Sequence, residues 1–415
     1  MKDPIIKPTS KTDTEPNSGM SNLSHHAIPT LMLSLDRRIF DKNSEVRRRM
    51  VDYGSIFSQL HIIVFSRRKH QLFEPEKIAP NVWIYPTDSW TRWLYVFDVF
   101  SIVKRELVVS GELAVNVISA SEFESGFIGV LLARTYNRRF QLQIHGDPWN
   151  QYSQKKFIFN AIFHGIEHYV LSHTDCVRVV SEHVKNEVAR RYPRLSNYIS
   201  ILPVFVDIDK MRNTKPSFDL HERYPQFNFI ILMVSRLSPE KNIFFALDIF
   251  ADIVQQHPRA GLIIVGDGPL EKKIRRYTHT RALSQNVIFE GWQSELVSYY
   301  KSANLFLHTS LYEGYGMVLI EAVACGLPII TSNVGVASSL VGSGQGVFIC
   351  PVGDKMCFVR EIMLFLKDNT RRILFKYSAE SQLDTVATGD REAYLRVYRE
   401  SMEQCILRQQ RAKQI

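Results

Sequence analysis

No apolar run in the 415 residues reaches the roughly 18 that a membrane-spanning helix needs, so the chain reads as one that folds in water. Cysteine is scarce. The five residues, at 176, 325, 350, 357 and 405, are odd in number and none stands at C-x-x-C spacing. Neither a disulfide framework nor a cysteine-built zinc site is expected from that pattern, and a reducing cytoplasm fits it. The first 27 residues lack the apolar core of a signal peptide. They are polar and rich in Ser, Thr and Pro, and read as a disordered tail without an export signal. Basic blocks are also missing: the net charge is +9, but Lys and Arg are scattered. That argues against a nucleic-acid partner and leaves an anionic ligand or an anionic membrane surface to suit the excess. What is present is an ordinary globular mixture, 45% hydrophobic and 22% charged, in a chain long enough for two cores.

Strand and helix signals alternate twice. Over 28–205, short buried runs such as LMLSL (31–35), HIIVF (61–65), VNVISA (115–120), FQLQIH (140–145), CVRVV (176–180) and YISIL (198–202) are separated by helical patterns. These include Ser44–Phe57, Trp90–Val109, Gly126–Tyr136 and Phe157–Leu171. Residues 206–226 are rich in Pro, Asn and charge and read as a linker. Over 227–390 the alternation restarts with FIILMVS (229–235), GLIIVG (261–266) and four further strands. Residues 391–415 are helical and are expected to pack back on the first domain. Two such runs predict an α/β chain of two Rossmann-like, doubly wound domains facing a central cleft, with ligands at the strand carboxyl ends.

Four pieces in the second half stand at those ends. In S-R-L-S-P-E-K (235–241), Arg236 leaves a strand and Lys241 is expected in the first turn of a helix opening at Pro239. Two cations beside a helix N-terminus suit a diphosphate, although an ion pair of Arg236 with Glu240 is an equally ordinary account. In G-D-G-P (266–269), Gly266 and Gly268 let backbone pass close to a ligand, or simply make a βα turn. The stretch E-G-Y-G-M-V-L-I-E (313–321) places Glu313 before a Gly-rich turn and Glu321 on an otherwise apolar helix. Backbone at Gly314, Tyr315, Gly316 and Met317 can face phosphate, and Glu313 can accept bonds from sugar hydroxyls. A buried carboxylate such as Glu321 costs several kcal/mol unless hydrogen-bonded, and a ribose diol would supply the bonds. G-L-P-I-I-T (326–331) completes the order.

These pieces resemble glycosyltransferase family 4, a group of retaining enzymes with the GT-B fold, over about residues 228–353. The resemblance implies a hexosyltransferase moving a sugar from a nucleoside diphosphate sugar to a glycan or lipid-linked acceptor. It implies that Arg236 and Lys241 hold the diphosphate, that Glu313 holds sugar hydroxyls and Glu321 the ribose, and that no cofactor or metal is required. No D-x-D stands within residues 228–353. From the first half, His145 ends a strand where family members carry a histidine reaching the donor sugar. The glycine-rich loop many members have after the first strand is replaced here by Asp36–Asn43, without glycine. Arg37, Arg38 and Arg47–Arg49 could serve an anionic acceptor there or be solvated surface.

Trp90, Trp93, Tyr95, Phe97 and Phe100 mix with Arg92, Lys104 and Arg105. Such a helix can lie on a membrane interface, giving peripheral contact, but core packing is the ordinary fate of an aromatic stripe and is the expectation here. Rival readings are an epimerase acting on nucleotide sugars, a sugar-nucleotide binder without turnover, and a zinc hydrolase through His164, Glu167 and His168, which match H-x-x-E-H.

Overall fold

The computed structural model describes residues 28–69, 72–109, 112–149, 160–340, 347–368 and 390–412. The expected N-terminal tail and the start of the helix expected from Phe157 lie outside them.

The first domain is built on strands β1 (Thr30–Ser34), β2 (Leu60–Val64), β3 (Glu76–Ala79), β4 (Val82–Pro86), β7 (Val117–Ser121), β8 (Arg139–Ile144), β9 (Cys176–Val179) and β10 (Ile199–Ile201). A separate two-stranded ribbon is formed by β5 (Val108–Val109) and β6 (Glu112–Leu113). The sheet order is β10-β9-β8-β7-β1-β2-β4-β3. Every neighbouring pair is parallel except β3–β4. Helices α1 (Glu45–Gly54), α2 (Tyr95–Glu106), α3 (Glu122–Thr135), α4 (Asn160–His173) and α5 (Glu182–Arg191) cover it. The central strands are buried on both faces, which is why they read as unbroken apolar runs.

The second domain carries β11 (Phe229–Val234), β12 (Ala260–Val265), β13 (Val287–Gly291), β14 (Leu305–His308), β15 (Ile329–Ser332) and β16 (Val347–Cys350), all parallel in the order β13-β12-β11-β14-β15-β16. Its helices are α6 (Ile208–Asn213), α7 (Leu220–Arg223), α8 (Ile243–Gln256), α9 (Glu271–Thr280), α10 (Val297–Ser302), α11 (Met317–Ala324) and α12 (Lys355–Lys367). The segment after β10 is thus partly helical. Lys301 Nζ holds its carbonyls at Arg212 (2.7 Å) and Thr214 (2.5 Å), and Leu220 and Phe227 enter the second core.

The strand order reverses between β1 and β7 in one sheet and between β11 and β14 in the other. Loops leaving those strands border the crevice where ligands of doubly wound sheets bind.

The C-terminal helix (Arg391–Ala412) returns to the first domain and buries Tyr394, Tyr398, Met402 and Cys405. Buried Arg178 donates to Gln143 Oε1 and to the Tyr394 hydroxyl, both at 2.9 Å, and lies 4.6 Å from the Tyr398 ring. Gln143 donates to the Tyr398 hydroxyl at 2.8 Å.

Three expectations are corrected. Cys176 pairs with Cys405 and Cys350 with Cys357, so disulfides are present and the spacing argument for a reducing compartment loses its basis. The first pair joins residues 229 apart, brought together only when the C-terminal helix docks on β9. Pro239–Lys241 is a 3-10 turn, and α8 opens two residues after Lys241 behind Asn242, whose φ of 52° is left-handed. The aromatic stripe is only partly core: Tyr95 and Phe100 pack against the buried Val99, Ile102 and Val103 side, while Trp90, Trp93 and Phe97 are exposed. Among the described residues no helix is long and apolar enough to cross a membrane.

Candidate active site

The loop after β11 and the loop after β12 run backbone against backbone. A Cβ on Gly266 (φ 127°) would sit 2.0 Å from the Ser235 carbonyl oxygen, and one on Gly268 would sit 2.5 Å from that of Leu237. Leu237 N–H donates to Asp267 O at 2.7 Å. The glycines therefore serve the approach of one loop to the other, and this fixes where Arg236 leaves the strand.

Arg236 and Lys241 sit differently. Arg236 donates to Glu240 at 3.0 Å and its side chain is 70% exposed. An exposed pair at i,i+4 is worth well under about 1 kcal/mol, so Arg236 can turn to a better anion at little cost. Lys241 is half-buried, its Nζ 2.5 Å from Glu313 Oε1. That oxygen also accepts from Ser310 Oγ at 2.8 Å and lies 3.0 Å from His308 Nε2. Thr331, at the end of β15, holds the other ring nitrogen of His308 at 3.0 Å. Burial alone would raise the Glu313 carboxyl; His308 and then Lys241 outweigh it and hold it down at about 2. Glu313 Oε1 is thus fully engaged by the protein, while Oε2 makes no hydrogen bond.

Glu321 lies one turn into α11, half-buried, its Oε2 accepting from the Tyr300 hydroxyl at 2.8 Å. Burial raises its carboxyl above the usual range, only partly offset by that bond.

The Gly-rich turn between these carboxylates is the meeting point of three cavities. One of about 440 Å³ is lined by Glu313 and Gly314 together with Asp147 and His183 of the first domain. One of about 270 Å³ is lined by Met317 and Glu321 with Arg49 and Tyr394. One of about 290 Å³ is lined by Val318, Arg236, Gly266 and Trp292 with Arg38. The turn opens on the left-handed Gly316 (φ 93°), the N-cap of α11. Gly335 packs beneath it, where a Cβ would meet the Tyr315 carbonyl oxygen at 2.4 Å.

His145 follows β8, and its N–H donates to Glu122 Oε1 at 3.1 Å. Its carbonyl approaches Gly314 so closely that a Cβ there would lie 1.7 Å from the oxygen, a close backbone contact between the domains. Burial, helped by the positive charges of Arg178 and Arg49, lowers the imidazole to about 3, so it acts as a neutral hydrogen-bonding group.

The pH consequence has a definite sign. Between about 3 and the unfolded value near 6.5, the unfolded chain binds a proton at residue 145 that the native chain does not, so stability falls as pH falls. His145→Asn should remove roughly one proton, or about 1.4 kcal/mol per pH unit, from the slope of urea stability between pH 6.5 and 4.5. An unchanged slope would mean that the native imidazole protonates freely.

In the loop without glycine, Arg38 pairs with Asp36, Arg47 with Glu76 and Arg48 with Glu45. Arg49 is half-buried at the domain interface and makes no ion pair among the described residues. His308, Ser310 and Thr331 were not foreseen. Their signal is positional: His308 ends a strand, as His145 nearly does. In the H-x-x-E-H stretch, Glu167 is committed to Trp149 Nε1 at 2.6 Å and to His164 at 3.1 Å. No group of three potential metal ligands occurs among the described residues. The D-x-D spacing of Asp207 and Asp209 falls in the linker, where Asp207 caps α6.

Two parallel α/β domains whose switch-point loops gather a half-buried Lys–Glu pair, a second carboxylate and a Gly-rich helix start have the architecture of the GT-B fold. Residues 221–382 match the family described as Glycosyl transferases group 1. An uncharacterized glycosyltransferase of Methanocaldococcus jannaschii is 24% identical over 295 residues, 70% of this chain and 69% of that protein. UDP-Gal:alpha-D-GlcNAc-diphosphoundecaprenol alpha-1,3-galactosyltransferase of Escherichia coli is 28% identical over 43% of this chain. Alpha-monoglucosyldiacylglycerol synthase of Streptococcus pneumoniae is 24% identical over 54% of it. These last two matches span 48% and 54% of the relatives' own length. Among solved structures, Anabaena HepE in complex with UDP superposes with a TM-score of 0.69 at 18% identity, over 91% of this chain and all of that one. Sucrose-phosphate synthase from Thermosynechococcus elongatus does so with 0.72 at 20% identity, over 91% and 99%. These structures establish the fold. Together with the match over residues 221–382 they make the chain similar to glycosyltransferases of GT-B architecture.

Proposed function

We propose that the chain is a retaining, metal-independent hexosyltransferase of family 4 that moves a hexose from a UDP-sugar to a glycan or lipid-linked acceptor. The observation that carries this is the turn 313–318: two carboxylates eight residues apart face separate cavities on either side of a helix N-terminus, with Lys241 beside the first. UDP is favoured because it is the nucleotide named with the E. coli relative and bound in the Anabaena structure.

In this reading the α11 amides, Lys241 and Arg236 take the diphosphate, and Arg236 leaves Glu240 to do so. Fixed cations and a helix terminus stabilise the charge of the departing nucleoside diphosphate, the task a divalent cation performs elsewhere. Arg49, free of ion pairs among the described residues and facing the same turn, adds a cation from the first domain where the glycine loop is missing. Glu313 accepts sugar hydroxyls through Oε2, and Glu321 accepts the ribose diol. His145, neutral, hydrogen-bonds the sugar. Because Glu313 is engaged by Lys241, His308 and Ser310, attack by the acceptor on the leaving group's own face is favoured over a covalent glycosyl-enzyme.

The test is a thermal-shift screen of UDP-, GDP- and ADP-sugars. At a hundredfold excess over Kd the right donor should raise Tm by about 5 °C or more. No shift with any of them removes the donor role. Calorimetry should show Arg236→Ala binding UDP about tenfold more weakly; unchanged affinity would remove Arg236 from the phosphate site. An inverted anomer in the NMR spectrum of the product would overturn retention.

A further inference from the structure

The first domain exposes an aromatic surface that its fold does not use. Trp93 is 88% exposed, Phe97 70% and Trp90 68%, with Leu94 beside them and Leu72 at 65% on the neighbouring loop. Trp93 and Phe97 are one turn apart on the outer side of α2 and its leading 3-10 turn, opposite the Val99, Ile102 and Val103 face that packs inward. Large aromatics this bare are a surface awaiting a partner.

The surface is held in shape. Asp88, in the left-handed conformation (φ 44°), ties two loops together: it accepts from Phe73 N–H at 3.1 Å, and its carbonyl accepts from Arg68 Nε at 2.9 Å. The Arg68 guanidinium lies 5.1 Å over the Trp90 ring. Phe73 in turn stacks on Phe40 of the loop after β1, with centroids 4.1 Å apart. Loops after β1, β2 and β4 thus form one rim at the carboxyl edge of the sheet, and Arg38 of that rim lines a cleft cavity with Arg236.

Its charge is mainly basic. Around Tyr95, at the root of α2, burial raises the phenol while Arg92, Arg67 and Arg37 oppose it and Glu124 acts with burial, and on the neighbouring loop Glu74 is exposed. Lys69 and Arg68 are exposed nearby, and Asp98 is occupied by Ser89. Trp rings among arginines are the composition that settles at the headgroup level of an anionic bilayer, where the ring end is apolar and the surroundings are wet and negative.

We propose that Trp90, Trp93 and Phe97 dock the first domain on an anionic lipid surface, with Arg92, Arg67 and Arg68 facing the headgroups and the cleft rim turned toward the bilayer. This deepens the reading of the acceptor as lipid-linked: a bilayer-held acceptor then reaches the cleft from the side opposite the donor loops.

The experiment is co-sedimentation of the full chain with phosphatidylglycerol–phosphatidylcholine vesicles and with phosphatidylcholine alone. The chain should bind the anionic vesicles, more weakly at high salt, with a blue shift of tryptophan emission. The variant Trp90→Ala/Trp93→Ala/Phe97→Ala should lose at least roughly 30-fold in partitioning while keeping its melting temperature and its thermal response to UDP-sugars. Arg92→Glu should lower binding to anionic vesicles only. No binding by the parent chain, or equal binding by the triple variant, overturns the proposal. So does a concentration-dependent dimer, by sedimentation velocity, that the triple variant abolishes, since the surface would then serve a second copy. Donor response is read separately: its absence with vesicle binding intact would sink the transferase reading alone.

Discussion

Lys241→Ala should lower kcat/KM roughly a thousandfold and destabilise the second domain by roughly 3–5 kcal/mol. Both effects come from one contact. The ammonium lies 2.5 Å from Glu313 Oε1, and both side chains are largely out of water. Removing the cation leaves a carboxylate in a buried site with only His308 and Ser310 to hold it. Its pKa then rises from about 2 as burial wins, and the stability its low value contributes above the unfolded carboxylate value shrinks. The catalytic loss is the one expected on the proposed function, in which Lys241 places its charge beside the leaving diphosphate. The two losses separate in a second variant. Lys241→Met/Glu313→Gln replaces the pair by neutral groups of similar size and should return to within about 1–2 kcal/mol of the parent stability while remaining inactive. Urea unfolding and initial rates with the donor found in the thermal screen check both. A single mutant as stable as the parent would show that the pair is solvated rather than buried.

How much of this was legible follows from where the chain buries residues. Central strands such as FIILMV are enclosed on both faces, so hydrophobicity alone marked them and the two-domain α/β fold followed. The β3–β4 pair was half missed because EKIA is a partly exposed edge strand whose pattern resembles a loop. The α2 stripe was misread for a physical reason: its apolar residues surround the helix on two sides, and periodicity does not say which side the domain covers. Here Val99, Ile102 and Val103 form the buried side with Tyr95 and Phe100 against it, and Trp90, Trp93 and Phe97 went outward. Spacing did indicate Glu313 and Glu321, because a helix start fixes what lies one and two turns beyond it. It gave no sign that Lys241 would be bound to Glu313 rather than free, since their contact joins loops 72 residues apart. The disulfide between Cys176 and Cys405 was hidden in the same way.

Gly314→Ala is the sharpest test of how the two domains meet. The Gly335–Tyr315 contact is backbone to backbone within the second domain, whereas the one at Gly314 is backbone to backbone across the two domains. A methyl group at 314 would stand 1.7 Å from the His145 carbonyl oxygen and 2.8 Å from Gly146 Cα. Ordinary contact needs about 1.5 Å more than the first of these distances, and neither β8 nor the α11 start can supply it by rotating a bond. The domains must instead part by roughly that amount. Misplacement by about 1 Å commonly costs on the order of a hundredfold in rate, because reacting groups leave their near-attack geometry. Gly314→Ala should therefore lower kcat about a hundredfold while each domain keeps its own core and melting temperature stays within a few degrees. Affinity for UDP should fall less than tenfold, since Arg236, Lys241 and the α11 amides all belong to the second domain. The opposite pattern, full kcat with lost UDP affinity, would mean that the turn serves the nucleotide alone and that closure onto His145 has no part in transfer.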